Sequence, residues 1–182
     1  VPAKFWNNLE ATYREKIVKA KAENEMDDDK ELVKKLPYNE MAKNGWVPDT
    51  KDVIQRVNNL RKYFEVVNLG IIKNMQLSKI ACRRLAETEK SNLALLAWAQ
   101  KAKLNSRTIE TSLIDLKMLK RKLPEIRSMT TMDPVDFCPK LIDMFADCGI
   151  ALVFLPHIGG SFLHGATFYD KNKIVVGLTV RG

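Results

Sequence analysis

The stretch GIALVFLPHIGGSFLHGATFYDKNKIVVGLTVRG, residues 149–182, decides the fold of this 182-residue chain. Three apolar segments in it, 150–156, 165–170 and 173–180, are separated by turn residues and predict three β-strands. The tetrapeptide DKNK joins the last two segments and predicts a tight hairpin. The chain before this stretch has mostly helical patterns. The sequence therefore predicts an α+β fold, a mainly helical N-terminal part followed by a small three-stranded sheet.

Seven or so helices are expected ahead of the sheet, because apolar residues recur there every three or four positions. The first helix begins near residue 1 and carries an apolar stripe. The polar run ENEMDDDKE, 23–31, is interpreted as a break after it. The stripe consists of Phe5, Trp6, Leu9, Tyr13, Ile17 and Ala20.

The later helices are predicted from their caps as well as from their spacing. Asp49 or Thr50 is expected to cap the helix that carries Val53 and Val57, and Asp133 to cap the last helix before the sheet. One helix is predicted over 106–129, with a kink or break at Pro124. The segment 69–86 is interpreted as another short helix.

Composition excludes several classes of protein. Hydrophobic residues make up 46% of the chain, which is typical of a folded domain. The longest strongly apolar run is about eight residues, whereas a membrane span needs about 20, so no membrane association is expected. No signal sequence is recognised, and the three cysteines include no C-x-x-C pair. These features predict reduced thiols and a cytoplasmic location.

The net charge of +8 is unevenly distributed. Residues 133–182 carry a net charge of −1, whereas the first 132 residues carry +9. A basic helical part beside a near-neutral sheet is compatible with nucleic-acid association. The candidate phosphate contacts are Lys117, Lys120 and Arg121. A solvated lysine-rich face is the favoured interpretation, because aromatic residues do not alternate with the basic ones.

Catalytic and metal-binding patterns are weak. His157 and His164 lie seven residues apart around a glycine-rich turn, without the H-E-x-x-H spacing of a zinc peptidase. A triad drawn from Ser161, His164 and Asp170 lacks a nucleophile elbow. No catalytic, cofactor-binding or metal-ligating residue is therefore predicted in this chain.

Four aromatic residues are candidate contacts for a partner or peptide. Trp6 and Trp46 lie in helical context, where core packing is the alternative interpretation. Phe168 and Tyr169 lie in the segment GATFYD, which is a candidate sheet edge for pairing with an extended peptide. An ordinary hairpin strand is the favoured alternative for that segment.

Three segments carry a resemblance to a known family: residues 1–15, VPAKFWNNLEATYRE; residues 36–66, which contain Gly-Trp and LRKYFEV; and residues 130–182, a helix followed by strands. The chain resembles fused bacterial regulators that join an Xre-type helix-turn-helix domain to an ImmA/IrrE metallopeptidase-like domain, among them HigA-like antitoxins. The likeness is strongest over the last fifty residues. It rests on the order and character of the segments.

The resemblance implies three regions. Residues 1–26 would continue from a helix-turn-helix domain, 27–130 would form a helical connecting and dimerisation module, and 131–182 would begin a zincin-like domain. The helix-turn-helix would precede residue 1, and the H-E-x-x-H helix would follow 173–180. This chain is thus expected to be a fragment without either, and zinc is expected only in the intact protein.

Three hypotheses about function follow from the resemblance. The first is the regulatory part of a DNA-binding repressor or antitoxin, which forms a homodimer and binds a cognate toxin or a signal. The second is part of a zinc metallopeptidase that cleaves a regulatory protein. The third is a scaffold with a degenerate peptidase fold.

Overall fold

The computed structural model describes residues 3–73, 79–84, 88–129, 131–159, 161 and 163–180. Over these ranges the protein is α+β, as the sequence predicts, with a four-stranded mixed sheet. The helices are α1 (Ala3–Lys35), α2 (Tyr38–Lys43), α3 (Val53–Phe64), α4 (Gly70–Lys73), α5 (Glu89–Ser106), α6 (Leu116–Met129) and α7 (Pro134–Ala146). The strands are β1 (Ala81–Arg84), β2 (Ile150–Pro156), β3 (Leu163–Asp170) and β4 (Lys173–Val180).

The sheet has the strand order β1-β3-β4-β2. The hairpin β3–β4 is antiparallel, with Asp170 opposite Lys173, so the predicted tight turn is confirmed. β2 pairs parallel with β4, from Ile150 opposite Ile174 to Pro156 opposite Val180. The chain therefore leaves β2, makes the hairpin one strand further out, and returns to lie beside β2.

The first strand corrects two sequence-based expectations. Within the described residues of the segment 69–86, which was interpreted as a short helix, Gly70–Lys73 form α4 and Ala81–Arg84 form β1. β1 pairs antiparallel with β3 over 163–167. The hypothesis that GATFYD forms a sheet edge is therefore wrong over that range, because β1 occupies the position next to it. Only Phe168–Asp170 extend beyond the paired register.

Helix α5 packs across one face of the sheet and forms the centre of the main core. Its N-terminus is closed by a capping box, in which Thr88 and Ser91 each bond the other's backbone N–H. Trp98, fully buried, donates its indole N–H to the carbonyl of Pro156 at 3.3 Å. Core residues from the sheet include Val153, Leu155, Ala166 and Val175.

Helix α1 is one continuous helix through the polar run that the sequence analysis interpreted as a break. Its second half is anchored to the body by buried side chains, so the acidic run continues the helix instead of ending it. Asp29 of that run is buried and accepts a hydrogen bond from Arg61 of α3 at 2.7 Å. The predicted break at 23–31 is therefore wrong.

The cap of α3 also differs from expectation. Asp52 caps this helix, and its carboxylate accepts from the backbone N–H groups of Ile54 and Gln55. Asp49 and Thr50 lie before it. The predicted cap of α7, Asp133, is confirmed, and its carboxylate accepts from the backbone N–H of Val135.

One helix was predicted over 106–129, but Ser106 is the last residue of α5 and the rest of the segment is helical only from Leu116 onward. Residues 112–115 form an irregular segment tied to the end of α7. Ser112 donates its backbone N–H to the carbonyl of Ala146, and Asp115 donates to that of Cys148. Gly149, with φ +80°, allows this approach, because a Cβ there would lie 2.5 Å from Ile114 Cα.

Helix α7 covers β2 from the face opposite α5 and builds a second, smaller core with α6. The buried members of this core are Cys148, Ile150 and Ile174. No helix among the described residues is both long and apolar enough to cross a bilayer.

Candidate functional site

The first half of α1 presents an uncovered apolar surface, which we call the α1 stripe and define as Phe5, Trp6, Leu9, Tyr13 and Ile17. All five side chains are exposed, Trp6 by 58% and Tyr13 by 65%. Phe5 and Trp6 pack edge to face, with ring centroids 5.6 Å apart. Ala20, the last residue of the predicted stripe, lies outside the described side chains. Contiguous exposed aromatic and aliphatic side chains are typical of an interaction surface.

The α1 stripe faces away from the rest of the protein. The second half of α1 packs on the body through positions 26, 29 and 33, whereas the stripe follows positions 6, 9, 13 and 17. At 100° per residue these two faces lie roughly half a turn apart on the helix. The body therefore uses one face of α1 and leaves the other face uncovered.

Charged side chains flank the stripe in two blocks. The first half of α1 is net basic, with Arg14, Lys16, Lys19 and Lys21 against Glu10 and Glu15, and the acidic block that follows it is Glu25, Asp27, Asp28 and Glu31; all of these are exposed. Within the helix, Arg14 pairs with Glu10 and Lys30 pairs with Asp27. The charge of α1 thus changes from basic to acidic between its projecting half and its anchored half.

A second candidate surface lies where β3 extends beyond β1, and we call it the β3 groove. It has a volume of about 440 Å³ and contains two of the sequence-predicted contacts, Phe168 and Tyr169. Phe168 packs toward the main core, whereas Tyr169 is 72% exposed, so the two side chains lie on opposite faces of the strand. The groove is lined by Lys79, Ile80, Leu96, Ala99, Gln100, Lys103, Phe168, Tyr169 and Asp170.

Three polar side chains of the β3 groove, Gln100, Lys103 and Asp170, interact within the protein. Gln100 donates its side-chain amide to the carbonyl of Tyr63 at 3.0 Å. Lys103 lies 3.9 Å from the carboxylate of Asp170. Sequence reasoning missed Gln100 and Lys103, because helical spacing predicts a buried stripe on α5 without showing that the sheet packs beside it. The groove therefore offers an apolar floor with a charged rim.

A third surface is the part of the sheet that α7 does not cover. Gly177 meets Trp98 on the α5 face, so its neighbours Val176 and Leu178 project from the other face. We call this the open sheet face and define it as Gly165, Thr167 and Leu178, with Val176 at its boundary with the smaller core. A groove of about 430 Å³ crosses it.

The remaining sequence-predicted residues lie apart from these surfaces. Lys117, Lys120 and Arg121 are exposed on α6, at spacings that put them on one side of the helix. Lys122 beside them bonds Asp147 at 2.8 Å, and this hydrogen bond raises the pKa of the lysine. Trp46, 9% exposed, belongs to the main core, so packing accounts for it.

The two histidines are exposed, His157 after β2 and His164 in β3. Across the part of the chain that the structure describes, no three side chains of His, Cys, Asp or Glu are grouped so as to hold a metal ion. Cys148 is buried, and burial raises the pKa of its thiol. Cys148 is thus placed for packing in the smaller core.

Comparison of the chain with protein-family models, curated proteins and solved structures gave no match.

Proposed function

We propose that this chain is the dimerisation and partner-binding part of a longer DNA-binding repressor or antitoxin. The observation that carries this proposal is the α1 stripe, a set of large apolar side chains presented on a projecting helix and not used by the body. Two copies joined by such a surface would place two helix-turn-helix domains on a palindromic operator. DNA is contacted by that upstream domain, and the protein is a cytoplasmic homodimer.

The same proposal gives the β3 groove a role in binding a partner or signal. Its apolar floor and charged rim suit a side chain or short segment of a protein such as a cognate toxin. Lys117, Lys120 and Arg121 are secondary candidates for phosphate contacts on the operator flanks. Their exposure leaves them accessible to DNA.

The DNA-binding proposal is tested with the protein encoded by the complete reading frame. An electrophoretic mobility shift assay measures how this protein binds a DNA duplex from immediately upstream of its gene, with an unrelated duplex as competitor. We expect sequence-specific binding that Leu9→Glu weakens, because a monomer reads only one half-site. A product that binds both duplexes equally, or neither, contradicts the proposal.

The open sheet face favours one alternative, a zinc metallopeptidase. A helix that follows β4 would supply a further layer over this face of the sheet. The resemblance implies that such a helix carries H-E-x-x-H. Elemental analysis of the complete product tests this alternative: one zinc per chain, lost with a chelator, supports a peptidase. A product without zinc leaves the sheet as a binding scaffold.

A further inference from the structure

We propose that two copies of this chain pair through their α1 stripes in antiparallel orientation, with the helices crossing between Leu9 and Tyr13. The inference rests on the proposed dimerisation, and it specifies the surface and the direction of pairing. Three observations carry it: the stripe is uncovered, its residue order is complementary to itself when reversed, and its charge blocks disfavour the parallel arrangement.

The stripe is available to a second copy without rearrangement of the body. Asp29 and the buried residues around it hold α1 to α3 and α4 by the opposite face of the helix. A partner that covers Leu9 and Tyr13 therefore leaves these anchoring contacts intact. The half of α1 that carries the stripe extends about five helical turns before the residues that contact α3 and α4.

The order of residues in the stripe matches its own reverse. Antiparallel pairing about residue 11 sets Leu9 of one copy beside Tyr13 of the other, and Phe5 beside Ile17. Tyr13 and Phe5 each meet an aliphatic side chain in this arrangement, and Trp6 of one copy lies beside Lys16 of the other. Parallel pairing in register sets Tyr13 against Tyr13 and Leu9 against Leu9, which packs unevenly.

The charges of α1 also favour the antiparallel arrangement. The helical face of the stripe continues at spacings of three and four residues from Ile17 to Asp27 and Glu31. Parallel pairing brings these carboxylates beside their own copies, at the interaxial spacing of about 8–10 Å typical of packed helices. Antiparallel pairing about residue 11 separates the two Asp27 positions by about 48 Å along the axis. Like charges are thereby removed from each other.

Sedimentation equilibrium of the chain tests the surface. We expect a dimer whose dissociation constant rises on the order of a hundredfold in Leu9→Glu, because each dimer loses two apolar contacts and gains two buried charges. Val18→Glu is the matched control, since Val18 is exposed on the other side of the same helix. We expect it to change the constant by less than about threefold. Circular dichroism verifies that both variants keep their helix content.

A charge pair tests the direction. Leu9→Lys and Tyr13→Glu should each weaken the dimer, whereas the double variant should recover affinity by about tenfold or more over either single variant. In antiparallel helices the new lysine of one copy faces the new glutamate of the other. In parallel helices like charges meet, and the double variant is the weakest of the three.

The outcomes separate the two proposals. A wild-type chain that stays monomeric up to its solubility limit overturns both the dimerisation and the pairing. A dimer that Leu9→Glu leaves intact overturns the α1 stripe as the interface but keeps the dimer. A dimer that Leu9→Glu disrupts, and that the double variant does not restore, overturns the antiparallel direction alone.

Discussion

Gly177 of β4 lies directly against the indole ring of Trp98 in α5, and a Cβ at residue 177 would sit 2.7 Å from Trp98 Cζ3. Real Cβ atoms do not approach other heavy atoms so closely. Trp98 is fully buried and hydrogen-bonded to the carbonyl of Pro156, so its ring has no free space to move into. The absence of a side chain at 177 thus allows α5 to pack flat on the sheet.

Gly177→Ala should lower the free energy of unfolding by about 1–3 kcal/mol, because the added methyl overpacks the core. Urea unfolding followed by tryptophan fluorescence measures the change. Gly70→Ala is the matched control, since the nearest atom to a Cβ there is the side chain of Asn68 at 3.3 Å. We expect the control to differ from wild type by less than about 0.5 kcal/mol. Equal stabilities of the two variants contradict the prediction.

Asp29→Ala should destabilise the protein by about 3 kcal/mol. The buried carboxylate accepts from Arg61 at 2.7 Å and from the backbone N–H of Leu69 at 2.8 Å, and both donors lose their acceptor. Asp27→Ala tests the exposed pair with Lys30 in the same helix, where the expected loss is below about 0.5 kcal/mol. Chemical denaturation compares the two. A small effect at Asp29 would show that α1 is not anchored there.

Tyr63 should make stability fall at alkaline pH. Burial raises the pKa of its hydroxyl far above the ordinary value, and the hydroxyl donates to the carbonyl of Ala97 at 2.8 Å. The folded protein keeps this proton while the unfolded chain releases it above pH of about 10. The contribution of Tyr63 to the free energy of unfolding is therefore complete below about pH 10. Above that pH it decreases by up to about 1.4 kcal/mol per pH unit.

Tyr63→Phe removes that alkaline dependence. At neutral pH the variant should be about 1 kcal/mol less stable, for the lost hydrogen bond. The difference between the two free energies of unfolding should decrease as the pH rises from about 9 to about 11, because only the wild type has the hydroxyl of Tyr63 to titrate. Tyr169→Phe, at an exposed position, is the control. A difference that stays constant over this range would refute the assignment.

Lys171→Gly should stabilise the hairpin between β3 and β4 by about 0.5–1 kcal/mol. Lys171 has φ +56°, a left-handed conformation that costs a residue with a side chain roughly 1 kcal/mol. Asn172→Gly is the control in the same turn, because Asn172 does not have a positive φ. The control should be neutral or destabilising. Thermal or urea unfolding of both variants provides the comparison.

The parts of the fold that the sequence predicted well are those set by neighbouring residues. The three apolar segments of 149–182 form strands, and Asp133 caps α7 as its side chain predicts. The break predicted at the acidic run of α1 was wrong. Asp29 is a poor helix former by itself, but Arg61 of another helix holds its carboxylate. Phe168 and Tyr169 were predicted as surface contacts, whereas Gln100 and Lys103 of the same groove were not.

The amino-acid sequence alone determined the α+β class, the hairpin and most of the helices, because spacing, caps and turn residues act over a few positions. Only the tertiary structure decided that β1 exists, that β2 lies parallel to β4, and that the α1 stripe is uncovered. Strand pairing depends on residues far apart in the chain. An apolar stripe has the same spacing whether the protein's own core or a second molecule covers it, so its exposure follows from the packing of the rest of the chain.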